Sequence, residues 1–179
     1  VFPPDTATAL ESEHIAWAEG DPSGEWRVVH TTADSKNPET VCASRECRYT
    51  NVSVAAADDI VYIAFERIGE DIRVCVLAAA TDDDNWSEVF CGPPSSYQPS
   101  IAATDNDVGV VYTTFAGGGY DVRFVDVLTG ETQTVTSDGV FNQSPDLVFD
   151  EAGRVWVAWT RESERMNPNR EHYLRDHVR

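Results

Sequence analysis

Four apolar runs of one design recur along this chain, and that recurrence limits the available folds more than any other feature. They are HIAWAE (residues 14–19), IVYIAFER (60–67), VGVVYTTFA (108–116) and RVWVAWTR (154–161). Aligned on their last large aromatics, Trp17, Phe65, Phe115 and Trp159, they stand 48, 50 and 44 residues apart. A supersecondary unit repeated at such a period cannot bury its apolar faces alone and must stack on its neighbours.

The rest of each unit repeats as well. Upstream lies a short strand of small residues: DTATAL at 5–10, VSVAAAD at 52–58, SIAATD at 100–105 and DLVFD at 146–150. A turn rich in Asp, Glu, Asn and Gly follows, and these residues accept the backbone angles of tight hairpins. Then come the apolar run, a third strand (EWRVVHT, DIRVCVL, YDVRFVDVL) and a polar fourth (ETVCA, SEVFC, ETQTVT). In the middle two third strands arginine alternates with apolar residues, the period-2 mark of a half-exposed strand. Second strands that are apolar throughout point to burial on both faces, which a two-sheet sandwich does not provide. The pattern predicts an all-β chain, a β-propeller of four-stranded blades.

One domain over 1–179 is expected, with complete blades at about 4–48, 49–96 and 97–142 and an incomplete fourth at 144–179. In that fourth blade RVWVAWTR is expected to be buried on both faces, with Trp156 and Trp159 as core wedges. EHYLRDHVR (171–179) reads as its third strand, with a helix over 170–178 as the alternative; the fourth strand is missing. Closed propellers need four to eight blades, so another chain or a C-terminal continuation is expected to complete the ring.

The chain carries 31 acidic and 13 basic residues, a net charge of −18, which repels phosphate backbones and argues against nucleic-acid binding. No apolar stretch is long enough for a membrane-spanning helix. The chain opens on VFPPD, so any leader is expected to be removed or to lie outside this segment. Cys42, Cys47, Cys75 and Cys91 form no CxxC pair and have no histidine at zinc spacing. An even count in a strand-rich chain fits an oxidising compartment, hence a secreted or cell-surface protein. Cys75 and Cys91 fall in adjacent strands of one unit and Cys42 and Cys47 flank a short loop, so 75–91 and 42–47 are the favoured disulfides.

The pattern P-S-x-A-x-D-x-x-G-x-V-W-V-A-W, from Pro99–Tyr112 and Pro145–Trp159, resembles the repeats of bacterial secreted propellers of the sialidase-like (Asp-box) and TolB types. TDDDNWSE, Thr81 to Glu88, is similar to an Asp box that has lost its glycine, and DVLTGETQTVT in the third unit looks more like the TolB type. The resemblance implies a module drawn from hydrolases, lectins and scaffolds, so fold alone does not assign function. A sialidase-like hydrolase requires three arginines, a Tyr–Glu pair and an acidic proton donor. The chain lacks the Arg-Ile-Pro motif, and Arg73 and Arg123 fall in third strands, where a structural role is expected.

The loops leading into the first strands carry aromatics: Phe2, Tyr49, Tyr97 and Phe141. With Gln98, Asn142 and Gln143 they form a candidate glycan site, in which aromatics stack on sugar rings and amides bond hydroxyls; the alternative is that they wedge between blades. The acidic turns Glu11–Glu13, Asp58–Asp59, Asp105–Asp107 and Asp150–Glu151 would ring the opposite mouth. Asp82, Asp83 and Asp84 form the densest oxygen cluster, and Ca²⁺ is the one cofactor it could hold. Hairpin-turn preference explains most of these acids without a metal. Asn51, Asn85 and Asn142 begin N-x-S sequons. The expected function is an extracellular binding or assembly module for glycan or protein, rather than an enzyme. The alternatives are part of a sialidase-like glycoside hydrolase, or a subunit that self-assembles through open blade edges.

Overall fold

The computed structural model describes residues 5–8, 14–35, 37–81, 83, 85–116, 118–162 and 177–178, and among them all regular structure is β. The first group is β1 (Asp5–Thr8), β2 (His14–Gly20), β3 (Trp26–Thr32) and β4 (Glu39–Ser44). The second is β5 (Arg48–Ala57), β6 (Ile60–Ile68), β7 (Ile72–Ala80) and β8 (Ser87–Cys91). The third is β9 (Ser96–Ala103), β10 (Val108–Ala116), β11 (Gly119–Asp126) and β12 (Thr132–Thr134). The last contains β13 (Phe141–Phe149), β14 (Val155–Glu162) and β15 (His177–Val178).

Within each group successive strands pair antiparallel, giving the meander that the repeat implied. A single parallel bridge, Tyr120 to Phe141, joins the third group to the fourth. β15 pairs with β14 on the side away from β13, the position expected of a third strand; the remainder of 171–179 lies outside the described residues.

Two apolar seams hold the groups together. The first joins Ala16, Ala18 and Val28 to Val61, Ile63, Phe65 and Cys75. The second joins Tyr62, Ala64, Val74 and Val76 to Val108, Val110, Tyr112 and Val125. β6 therefore sends odd residues to one neighbour and even residues to the other, which is why it is apolar from Ile60 to Phe65. β10 is buried in the same way.

The seams revise the alignment of the repeat. Tyr112, not Phe115, is the counterpart of Phe65: each is buried on the face turned to the preceding group, whereas Phe115 is 50% exposed. The interval from Phe65 to Tyr112 then equals that from Tyr112 to Trp159, so the irregular spacing came from choosing the wrong aromatic.

RVWVAWTR departs from expectation. Only one face of β13–β14 is covered, and Trp156 (58% exposed) and its cross-strand neighbour Val148 (57%) lie on the other. The covered face packs closely on the third group, where an added Cβ on Gly109 would come within 2.6 Å of Phe124 and 3.0 Å of Phe149. Trp156 is no core wedge, because no further sheet lies against it among the described residues.

Candidate functional site at the strand bulges and the aromatic cluster

The first strands of the second, third and fourth groups, β5, β9 and β13, each contain one bulge at the same place. The pairing of β5 with β6 slips between Thr50 and Ser53, that of β13 with β14 between Gln143 and Asp146, and that of β9 with β10 opposite Val111–Thr113. At each slip stands a residue of positive φ: Asn51 (50°), Gln98 (54°) and Ser144 (50°). This left-handed conformation is costly for residues other than glycine and persists where surrounding bonds enforce it. In the second and third bulges the next residue is proline, Pro99 or Pro145, which has no N–H to leave unpaired.

Side chains tie one bulge to the next. The buried Glu66 carboxylate accepts from Thr50 Oγ1 (2.9 Å), Asn51 Nδ2 (2.7 Å) and the backbone N–H of Gln98 (2.7 Å). Gln98 Oε1 in turn accepts from the backbone N–H of Ser144 (2.9 Å). The bulges line a cavity of about 310 Å³ bounded by Asn51, Val52, Gln98, Pro99, Ser144 and Pro145.

The candidate ligand residues divide. Tyr49 is buried, edge-on to Phe65 at 5.4 Å, and its phenol is pushed up to about 12 by burial and then by the charge of Cys42. Asn142 is fully buried. Its amide nitrogen donates to Tyr120 O (3.1 Å) and Asp138 Oδ1 (2.9 Å), and its oxygen accepts from Trp159 Nε1 (3.1 Å). It therefore has no free surface for a sugar ligand or an attached glycan. Asn51 and Asn85 are exposed, although the Asn51 amide is engaged by Glu66. Gln98 lines the cavity, and Gln143 is half-buried beside the third bulge.

Tyr97 and Phe141 meet around Tyr120, at ring-centroid distances of 5.7 and 5.6 Å, and Phe115 joins them at 5.3 Å. Phe115 and Tyr120 escaped sequence reasoning, which looked only at the loops before the first strands. Beside Tyr120, Asp121 is buried with Oδ1 unpartnered, and burial pushes its carboxyl above the usual range.

Of the acidic cluster, Asp82 and Asp84 lie outside the described residues, and exposed Asp83 accepts from the N–H of Asn85 (3.0 Å). Among the turns, Asp150 is occupied by its own hairpin. It accepts from the N–H groups of Ala152 and Arg154, Arg154 Nε and Trp156 Nε1, and the Trp156 bond first among these holds its carboxyl down to about 2. Glu11–Glu13 lie outside the described residues. Among those described, one cluster of ligand-type side chains is tight enough to share an ion, Cys75–Glu88–Cys91, and its two sulfurs are bonded to each other. The Cys75–Cys91 disulfide crosses between β7 and β8 as expected. Cys42 and Cys47 stand as thiols rather than as a second disulfide.

No family model and no curated protein matches the sequence. Solved structures do match the fold. TolB from Acinetobacter baumannii is similar at TM-score 0.57 and 15% identity, over 87% of this chain and 37% of that one. A component of a nidogen/laminin complex is similar at 0.55 and 13%, over 88% and 58%. A thermostable family-43 glycoside hydrolase is similar at 0.53 and 8%, over 90% and 66%. These are propeller-type proteins, and the chain shares their fold. It spans less than two thirds of the length of each of these chains.

Proposed function

We propose that the chain is an extracellular or periplasmic β-propeller module that binds neutral glycan through the aromatic cluster. The observation that carries this reading is the convergence of Tyr97, Phe115 and Phe141 on Tyr120, with Phe115 half exposed. Exposed aromatic faces suit the apolar faces of sugar rings. A surface of net charge −18 favours uncharged saccharides over acidic ones. The Cys75–Cys91 disulfide supports an oxidising compartment. The similar solved structures include a glycoside hydrolase and a laminin complex, so binding and hydrolysis are both represented on this fold. Binding is preferred because Glu66, the carboxylate that ties the bulges, is committed to three hydrogen bonds.

Calorimetric titration with a panel of neutral and acidic oligosaccharides tests the proposal. A neutral sugar should bind, and Phe115→Ala should weaken it roughly three- to tenfold, as expected for loss of one ring contact. A flat response across the panel refutes glycan binding, and turnover of a bound sugar would move the assignment to the hydrolase reading. The uncovered face bearing Val148 and Trp156 is proposed to pack on a further blade, from a second chain or from more of the same one. A solution mass above 19.8 kDa for this segment would support the second chain.

A further inference from the structure

The four cysteines lie in or beside the first two groups of strands. In the second, Cys91 of β8 faces Cys75 of β7 and is bonded to it. In the first, Cys42 of β4 lies opposite Val28 of β3 beside the register shift, the place that Phe90 takes opposite Val76 in the second. Cys42 therefore has no sulfur across the strand pair.

A sulfur is supplied instead by the turn that carries the chain from β4 to β5. Ser44 Oγ accepts from the backbone N–H groups of Glu46 (3.0 Å) and Cys47 (3.1 Å), which folds residues 44–47 back on themselves. Cys42 and Cys47 then pack on the same apolar seam. The Tyr49 hydroxyl hydrogen-bonds the Cys42 thiol and senses the charge of both sulfurs. Cys47 Sγ lies 3.2 Å from where a Cβ on Gly69 would stand, so the glycine keeps room for it. Burial pushes the Cys42 thiol above its ordinary range, and its hydrogen bonds and the nearby Arg67 charge offset only part of that.

We propose that Cys42 and Cys47 are an oxidisable dithiol whose disulfide staples the crossover between the first and second blades. The thiolate of one cysteine attacks a disulfide RSSR, breaking its S–S bond, forming a mixed disulfide and releasing one thiol. The thiolate of the other then displaces the second thiol and closes the 42–47 bond. The two cysteines lose two protons and two electrons in all, and RSSR leaves as two RSH. The inference is independent of glycan binding.

Tryptic mapping of the full chain reads the outcome directly, because Arg45 separates the two cysteines. Before and after incubation with oxidised glutathione, the protein is alkylated, digested and analysed by mass. A 42–47 bond holds NPETVCASR (37–45) and ECR (46–48) together as one species that reduction splits, while Cys75 and Cys91 stay within the single peptide 74–123. Gly69→Val should slow closure several-fold while leaving the 75–91 bond intact. Full alkylation of both short peptides after oxidation overturns the proposal, as does linkage of either to 74–123.

Discussion

The Glu66 carboxylate, buried at the end of β6, accepts the backbone N–H of Gln98 at the bulge of the next blade, 2.7 Å away. This bond spans two sheets and holds a left-handed residue that would otherwise revert. Glu66→Ala leaves three donors unsatisfied and should cost about 2–4 kcal/mol of stability, whereas Glu66→Gln, which keeps an acceptor, should cost about half that. Urea denaturation measures both, and equal losses would show that the carboxylate is not the organising group.

His14 and His30 form a buried hydrogen-bonded chain with Glu39. His14 Nδ1 lies 2.8 Å from His30 Nε2, and His30 Nδ1 lies 2.6 Å from Glu39 Oε1. A carboxylate only accepts, so His30 Nδ1 carries a proton, its Nε2 accepts, and His14 Nδ1 donates to it. Trp86 of the second blade covers His30 edge-on at 5.5 Å. Burial holds both imidazoles below their ordinary 6.5, and at His14 the neighbouring His30 adds to it. The unfolded chain therefore binds protons first. The stability these groups contribute is complete above pH 6.5 and is lost as pH falls through their lowered folded values. The slope should approach about 1.4 kcal/mol per pH unit for each proton taken up. Unfolding midpoints between pH 7.5 and 5 should fall for the native chain and flatten in a His14→Gln/His30→Gln variant; parallel curves would rule the histidines out.

Two glycines of the third blade should respond differently to alanine. At Gly109 the new methyl would meet side chains, Phe124, Phe149 and Leu147, which can adjust, and overpacking of this kind costs about 1–3 kcal/mol. At Gly119 it would meet backbone, Val140 O at 2.6 Å and Gly139 C at 2.7 Å, which cannot. Thermal melts should rank Gly119→Ala below Gly109→Ala, and the reverse order would contradict the close approach of β11 to residues 139–140.

The two tryptophans of RVWVAWTR should part company under one substitution. Trp159→Phe removes the donor to buried Asn142 Oδ1 and should cost about 1–3 kcal/mol. Trp156→Phe, at a site 58% exposed, should stay within about 0.5 kcal/mol of the native chain. Equal losses in chemical denaturation would mean that Trp156 is covered in solution.

Much of the architecture was legible because burial on two faces leaves a compositional mark. IVYIAF (60–65) and VGVVY (108–112) are unbroken apolar runs because odd and even residues each meet a neighbouring sheet, as the burial of β6 and β10 bears out. Cys75 and Cys91 could be paired because adjacent antiparallel strands are close wherever the sheet lies. The aromatics before the first strands were harder to place. Tyr49 and Asn142 alternate inward and Tyr97 joins an aromatic cluster, and a one-residue shift at a bulge reverses which face a side chain takes.

The sequence by itself determined the repeat, the strand order within each unit and the all-β class, since these follow from local periodicity and turn chemistry. Only the tertiary structure decided that Tyr112 is the counterpart of Phe65 and that Phe115 and Tyr120 complete the aromatic cluster. It alone decided that one face of RVWVAWTR stays uncovered. Those outcomes depend on which sheet lies against which face, a relation between residues tens of positions apart that no local pattern encodes.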